Sequence, residues 1–294
     1  MNIQWYPGHM TKTRRQIEAD LKLVDAVCEI VDARIPVSSR NPDIDAICGD
    51  KPRMIVLNRM DLADPAATKK WAEYFRRKGM AVIATDCKSK KGISAFTPAA
   101  RLACAEKLER DAKRGMNRPL RVMVVGIPNV GKSTLINQIS GRKSAKAENR
   151  PGVTRGKQWV TVDSGLQLLD TPGILWPKFE DQAVGERLAL IGSMNDEILN
   201  REEMALSLLV FIGENYPEAL EKRYQLTLDT AGADGDAQAS LHSALALLEA
   251  VCKSRGCLKK GGEPEYEKGA ALVLDDFRSG RLGRMTLELP KKEA

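Results

Sequence analysis

Gly126-Ile127-Pro128-Asn129-Val130-Gly131-Lys132-Ser133-Thr134 follows the apolar run Leu120–Val125 and leads into Leu135-Ile136; Asn58-Arg59-Met60-Asp61, well before it, follows the apolar run Met54–Leu57. Each reads as a strand that ends in a binding loop. The later stretch has the strand, glycine-rich turn and helix start that a phosphate-binding loop needs. Its glycines let backbone N–H groups turn inward on a β-phosphate, the helix N-terminus adds its dipole, and Lys132 brings a positive charge to the β and γ oxygens. Ser133 is then placed as a Mg²⁺ ligand, with Asn129, Val130, Gly131 and Thr134 in the same loop.

The earlier stretch fits a base. A carboxylate accepts from guanine N1–H and the 2-amino group, and an Asn side chain can approach the opposite edge, so Asn58 and Asp61 select guanine over adenine. Met60 lies between them, and position 59, usually Lys in such a motif, is Arg, whose aliphatic stem can still pack over the base. After Met80–Ala84, Asp86-Cys87-Lys88 stands where a further base loop is expected, with the Cys87 backbone N–H toward guanine O6. Cys87 is thus expected to act through its backbone and not as a nucleophile.

Asp170-Thr171-Pro172-Gly173 ends the apolar Leu166–Leu169. Asp170 there can hold a Mg²⁺ shell through water, and the Gly173 amide can meet a γ-phosphate. Between the two phosphate motifs, Arg150-Pro151-Gly152-Val153-Thr154 offers Thr154 as a hydroxyl that joins Mg²⁺ only with a triphosphate bound. Base-reading motifs therefore precede phosphate and switch motifs, the reverse of the usual order. That inversion predicts an α/β fold: a circularly permuted P-loop GTPase domain, a mostly parallel sheet flanked by helices, with a smaller C-terminal α-helical domain.

Element patterns agree with this over the first two-thirds, where short apolar runs alternate with amphipathic stretches. Strands are predicted at Ala26–Val31, Arg53–Leu57, Ala81–Ala84, Arg121–Val125, Gln158–Val162 and Leu166–Leu169, and helices at 10–22, 42–49, 65–78, 92–115 and 132–141. From Asp181 helical spacing takes over, as in Glu202–Phe211, Pro217–Tyr224 and Ala237–Val251. The domains are read as 1–180, with 1–22 an N-terminal arm and first helix, and 181–294. Ala231–Asp236 and Lys259–Pro264 read as loops and Lys291–Ala294 as a frayed tail.

The net charge of +7 is unevenly spread: residues 1–186 hold 32 Lys and Arg against 21 Asp and Glu, residues 187–294 hold 14 against 18. The basic half is the one to face a polyanion, through Lys12/Arg14/Arg15, Arg76–Lys78, Lys88/Lys90/Lys91, Arg101–Arg121 and Arg142–Lys157; clusters flanking a nucleotide site favour nucleic acid over a merely solvated face. No apolar run approaches the roughly 18 residues of a membrane span. Met1–Trp5 lacks a signal-peptide pattern, so a cytoplasmic location is expected. Six scattered cysteines without a CxxC pair, and only His9 and His242, point to reduced structural thiols and no zinc site.

Several stretches together resemble one family, the circularly permuted YlqF-type GTPases: Gln4-Trp5-Tyr6-Pro7-Gly8-His9-Met10, Asp32-Ala33-Arg34-Ile35-Pro36, Ser38-Ser39-Arg40-Asn41-Pro42, Gly126–Thr134, Arg150–Thr154 and Asp170–Leu175. The resemblance implies a GTP hydrolase, stimulated by ribosomal particles, that binds GTP and GDP with Mg²⁺. It also implies binding to the large ribosomal subunit and its rRNA late in assembly, with release on hydrolysis and neither membrane nor DNA as a partner. Where many GTPases have a water-orienting Gln after the DxxG glycine, this chain has Ile174, which cannot orient water. His9 is the candidate substitute, since imidazole can accept a proton near neutral pH; the other reading makes it part of an RNA-facing arm. Asn129 resembles an asparagine with which related GTPases bind K⁺. A GTP-dependent scaffold with incidental hydrolysis is the alternative function; a metabolite kinase is disfavoured by Asn58, Asp61 and the switch residues.

Overall fold

The computed structural model describes residues 10–141, 158–173, 181–194, 200–226 and 237–290. Six strands, β1 (Ala26–Asp32), β2 (Arg53–Asn58), β3 (Ala81–Ala84), β4 (Leu120–Val125), β5 (Gln158–Asp163) and β6 (Leu166–Asp170), form one sheet in the order β3-β2-β1-β4-β6-β5. β5 is antiparallel to β6, and every other pair is parallel. The strand that carries the glycine-rich loop is thus fourth in the chain yet central in the sheet. β1 and β2 are buried along almost their whole length, which is why they read as continuous apolar runs and not as alternating ones.

Burial on both faces accounts for that pattern. Val27, Met123, Val125 and Leu169 pack with Ile17 and Leu21 of α1 (Met10–Leu21) and Ile44 and Cys48 of α2 (Asp43–Cys48). Val31, Ile55, Leu57 and Val82 pack with Trp71, Ala72 and Phe75 of α3 (Pro65–Arg77). Asp64 caps α3 by accepting from the Ala67 N–H at 2.9 Å, with Pro65 preset at the first helical position. The alternate residues Cys28, Ile30, Met54, Val56, Val122, Val124 and Leu168 are equally buried, and α4 (Phe96–Ala103) and α6 (Lys132–Ser140) also pack on the sheet.

The single helix predicted over 92–115 is corrected by the structure. A turn at Ile93–Ala95 leads into α4, and Cys104, at φ −109° and ψ 16°, breaks the chain before α5 (Ala105–Lys113). α4 buries Phe96 and Ala100, whereas α5 buries no residue.

Gln182–Leu287 forms a second compact unit. It contains α7 (Gln182–Leu190), α8 (Arg201–Asn215), α9 (Pro217–Tyr224), α10 (Ala237–Arg255) and α11 (Tyr266–Ser279), of which α7 and α11 were not among the helices named from sequence. α8, α10 and α11 pack on one another around Met204, Leu208, Ile212, Leu248, Val251, Val273 and Phe277. Asn200 caps α8, accepting from the N–H groups of Glu202 and Glu203 at 3.1 and 3.2 Å. Arg278 donates to the carbonyls of Ala189 and Leu190 and so satisfies the C-terminus of α7. A buried carboxylate, Asp276, accepts from Arg223 at 2.8 and 3.0 Å, from the Tyr224 hydroxyl at 3.1 Å and from Arg281.

Within the range read as the helical domain, 181–294, Glu288–Pro290 groups with the sheet unit and not with the helices. The expected loop Lys259–Pro264 is a short turn closed by Lys259 N–H to the Glu263 carbonyl, with Gly261 and Gly262 at positive φ. His9, Arg150–Thr154, Ile174, Ala231–Asp236 and Lys291–Ala294 lie outside the described residues.

Candidate nucleotide site

Every described motif stands at the carboxyl end of a parallel strand, where open α/β sheets bind ligands. Asp32 ends β1, Asn58 ends β2, Thr85 follows β3, Gly126 follows β4 and Asp170 ends β6. Register brings Asp32 directly opposite Asn58 and Val124 opposite Asp170.

The base-reading and phosphate motifs, far apart in sequence, meet through two side chains. Asn58, 3% exposed, donates from Nδ2 to the Val130 carbonyl at 2.8 Å, and its Oδ1 accepts from the Thr85 hydroxyl and the Cys87 N–H, each at 3.2 Å. Arg59 donates to the Asn129 carbonyl at 2.8 Å and lies 3.7 Å from the Asp32 carboxylate. Arg59 and Asn129 both sit in the left-handed region, at φ 59° and 60°, where non-glycine residues are uncommon and turns are sharp. Met60 N–H closes the turn on the Thr85 carbonyl at 3.1 Å.

The Cys87 N–H is thus engaged by Asn58, not left pointing at a base edge. Asp86 is occupied as well: its Oδ1 accepts from the N–H groups of Lys88 and Ser89 at 2.9 and 3.2 Å and shapes the loop. Burial pushes the Cys87 thiol up to about 11, so it stays protonated and unreactive near neutral pH. Asp61 is exposed at the mouth of the turn. Thr85 and Asp32 were not singled out from sequence as site residues. Thr85 could have been found from its place at the end of an apolar run, just before Asp86.

Two glycines are dictated by close approach. A Cβ at Gly126 would lie 2.6 Å from the Ile30 carbonyl oxygen, and one at Gly131, where φ is 104°, would lie 2.4 Å from Asn58 Nδ2. Gly131 precedes α6 with no side-chain cap, so the first-turn amides face the loop and can take an anion.

Lys132 is buried, its Nζ 3.4 Å from the carbonyls of Gly126 and Ile127. Burial lowers its ammonium to about 8, with the Asp170 charge pulling the other way. Asp170 is 1% exposed; burial raises its carboxyl, opposed by Lys132 and by a hydrogen bond from the Thr171 backbone. Thr171 anchors the turn through its hydroxyl to the Val124 carbonyl at 2.8 Å. A Cβ at Gly173 would lie 2.9 Å from Lys132 Nζ and 3.0 Å from Pro128, so the DxxG glycine lies directly on the phosphate loop.

Asp170 Oδ1 is buried and takes no hydrogen bond. An orphaned carboxylate oxygen is costly unless something polar completes it, and a hydrated Mg²⁺ is such a group. Ser133, part-exposed in the first turn of α6, is the other described candidate ligand. Among the described residues no three His, Cys, Asp or Glu side chains converge, so a cation here would draw its remaining ligands from phosphates and water. The donor set fits Mg²⁺ with a nucleotide.

Comparison with known proteins agrees with this geometry. Residues 121–228 match the family model described as 50S ribosome-binding GTPase. The chain is 46% identical to ribosome biogenesis GTPase A of Bacillus cereus over 99% of its own length and 95% of the relative's, and 32% identical to that of Thermotoga maritima over 98% and 95%. It is 34% identical to mitochondrial ribosome-associated GTPase 1 of Mus musculus over 97% and 90%. The solved structure of GNP-bound YlqF from T. maritima superposes with a TM-score of 0.62 at 28% identity, over 95% of this chain and 99% of that one. Sheet order, loop geometry and these matches together place the chain in the ribosome biogenesis GTPase A family of circularly permuted, YlqF-type GTP hydrolases.

Proposed function

We propose that the protein binds GTP at the carboxyl edge of the sheet, docks in that state on the large ribosomal subunit during a late step of its assembly, and leaves on hydrolysis. The observation that carries this reading is the Asn58 side chain, which ties the guanine-selective turn to the phosphate loop at Val130 and so builds one site from both motifs.

Each residue has a defined task. Asp61 accepts from guanine N1–H and the 2-amino group, and the stem of Arg59 covers the base. The Cys87 amide donates to Asn58 Oδ1 and would have to be shared or released to meet guanine O6. Backbone N–H groups of Asn129 to Thr134 line the phosphates, and the Lys132 ammonium neutralises charge that grows on the β-γ bridge. Ser133, Thr154 and Asp170 would hold Mg²⁺, Asp170 through water, and the ion would supply further positive charge to the phosphates. Gly173 presents its amide to the γ-phosphate, so the switch tightens only with a triphosphate. His9 is the proposed group that orients the attacking water, Ile174 being unable to. Asn129, whose backbone oxygen accepts from Arg59, is the residue proposed to meet K⁺.

RNA contact is assigned to the basic nucleotide unit. Arg76, Arg77, Lys78, Lys88, Lys90, Lys91, Arg101 and Arg110 are exposed there, and phosphate neutralisation by such a set releases counterions. The acidic balance of 187–294 leaves the helical unit only local basic faces for RNA, such as Lys253/Arg255/Lys259/Lys260; in the set Arg278/Arg281/Arg284, Arg278 is held by the Ala189 and Leu190 carbonyls and Arg281 by Asp276.

Co-sedimentation with purified large subunits tests the reading. Binding with a non-hydrolysable GTP analogue, weak binding with GDP and a steep loss with added salt are expected. Equal binding with both nucleotides, or none, would overturn it, and capture of a non-ribosomal protein alone would favour a scaffold.

A further inference from the structure

Glu288 is the residue at which the chain leaves the helical unit and joins the nucleotide unit. Its carboxylate accepts from the backbone N–H of Val37 at 2.7 Å and of Ser38 at 3.1 and 3.3 Å. Its own carbonyl accepts from Trp71 Nε1 at 2.9 Å, and Trp71 is fixed in the core of α3. One residue is thereby pinned at both its backbone and its side chain, and charge-assisted bonds of this kind are the strong ones.

What Glu288 holds leads inward. Ser39, next to Ser38, donates its hydroxyl to the Ile35 carbonyl at 2.7 Å and accepts the Asp32 N–H at 3.0 Å. Asp32 is fully buried, fixed by Arg34 through Nε at 2.9 Å and NH2 at 2.8 Å, and its carboxylate lies 3.7 Å from Arg59. Arg59 in turn donates to the Asn129 carbonyl of the phosphate loop. A Lys at 59 would offer one compact ammonium, whereas the guanidinium fork spans both Asp32 and Asn129. The path from Glu288 to the phosphate loop therefore runs entirely through hydrogen bonds, ion pairs and adjoining residues of the nucleotide unit.

We infer that Glu288 is a positioning residue for the nucleotide site: by clamping Val37 and Ser38 it fixes Asp32, and through Arg59 the phosphate loop, so that the chain returning from the helical unit sets guanine-nucleotide affinity. The inference rests on the reading of Arg59 as part of the guanine site. It gives the helical unit two covalent routes to that site, one beyond Gly173 on the phosphate side and one at Glu288 on the guanine side.

Spatial continuity does not establish coupling, and a double-mutant cycle does. Affinity for a fluorescent GDP is measured on the full chain and on Glu288→Ala, Glu288→Gln, Arg59→Ala and the double variant Glu288→Ala/Arg59→Ala, with thermal unfolding of each. Glu288→Ala is expected to weaken GDP binding by about fivefold, within the usual range of coupling between sites. Glu288→Gln, which keeps size but not charge, should weaken it in the same direction and carries the test if the alanine variant does not fold. On the Arg59→Ala background, loss of Glu288 should change affinity by less than about twofold, because the path is already cut. If Arg59→Ala binds GDP as the unaltered chain does, the guanine reading fails and the inference with it. If Arg59→Ala weakens binding but Glu288→Ala costs the same in both backgrounds, or nothing in either, the guanine reading stands and the inference is overturned.

Discussion

Removing the Asn58 side chain should both loosen the fold and abolish guanine-nucleotide binding. Asn58→Ala deletes three hydrogen bonds, to Val130, Thr85 and Cys87, all three of them residues no more than 3% exposed. Each neutral bond contributes about 1 kcal/mol net, and a partner left buried and unmet costs at least as much, so the loss is about 3 kcal/mol. For a unit of this size that lowers the melting temperature by about 6–12 °C. Asn58→Asp sharpens the argument. A carboxylate still accepts from Thr85 and Cys87 but faces the Val130 carbonyl at hydrogen-bond distance with nothing to donate, so at neutral pH it should destabilise at least as strongly as alanine. Calorimetric melting with and without excess GDP reads both effects: a lower midpoint without nucleotide, and little or no rise on adding it. An Asn58→Ala protein that melts within about 2 °C of the unaltered chain and is stabilised by GDP as before would refute the claim that this side chain joins the two motifs.

Further consequences follow from the same geometry and from the helical unit. Gly131→Ala places a methyl 2.4 Å from Asn58 Nδ2 in a residue held at φ 104°, so GDP affinity should fall at least tenfold, read by fluorescent-nucleotide titration. Asp61→Asn turns an acceptor into a group that can donate, and preference should move from GDP towards xanthosine diphosphate in a competition assay. Asp276 is buried, which raises its carboxyl, yet hydrogen bonds from Arg223, Arg281 and Tyr224 hold it below its ordinary value. Its contribution to stability is therefore present above the unfolded carboxylate pKa of about 3.9 and is lost as pH falls below it. Denaturant unfolding followed by circular dichroism should show helical-unit stability falling below about pH 4, and Asp276→Asn should cost about 2 kcal/mol at neutral pH while flattening that acid dependence.

Local patterns account for most of what the sequence made legible. The run from Leu120 into Gly126–Ser133 encodes strand, turn and helix start within a few residues, and the same holds for Arg53–Asp61 and Leu166–Gly173. Boundaries there differ from the structure by one residue or so, because strand ends are set by the motifs themselves. What escaped was non-local. Cys104 breaks the helix at a point where a packed segment gives way to an exposed one, and no Gly or Pro marks the break. Glu288 fell inside the range read as the helical domain because its partners, Val37, Ser38 and Trp71, are more than two hundred residues away in sequence. The Cys87 amide was assigned to a base edge by analogy of position; only the folded chain shows Asn58 Oδ1 beside it. Asp32 and Arg34 carry a motif whose residues could be quoted, but a buried ion pair has no periodic signature.

The most direct test of the central claim is the single-turnover rate of GTP hydrolysis by the purified full chain, measured with Mg²⁺ in the absence and presence of purified large ribosomal subunits. With Ile174 in place of a water-orienting glutamine, the proposal that the ribosome completes the site predicts slow hydrolysis alone and a large, saturable stimulation by large subunits but not by small ones. Fast hydrolysis by the isolated protein that large subunits leave unchanged would contradict the account.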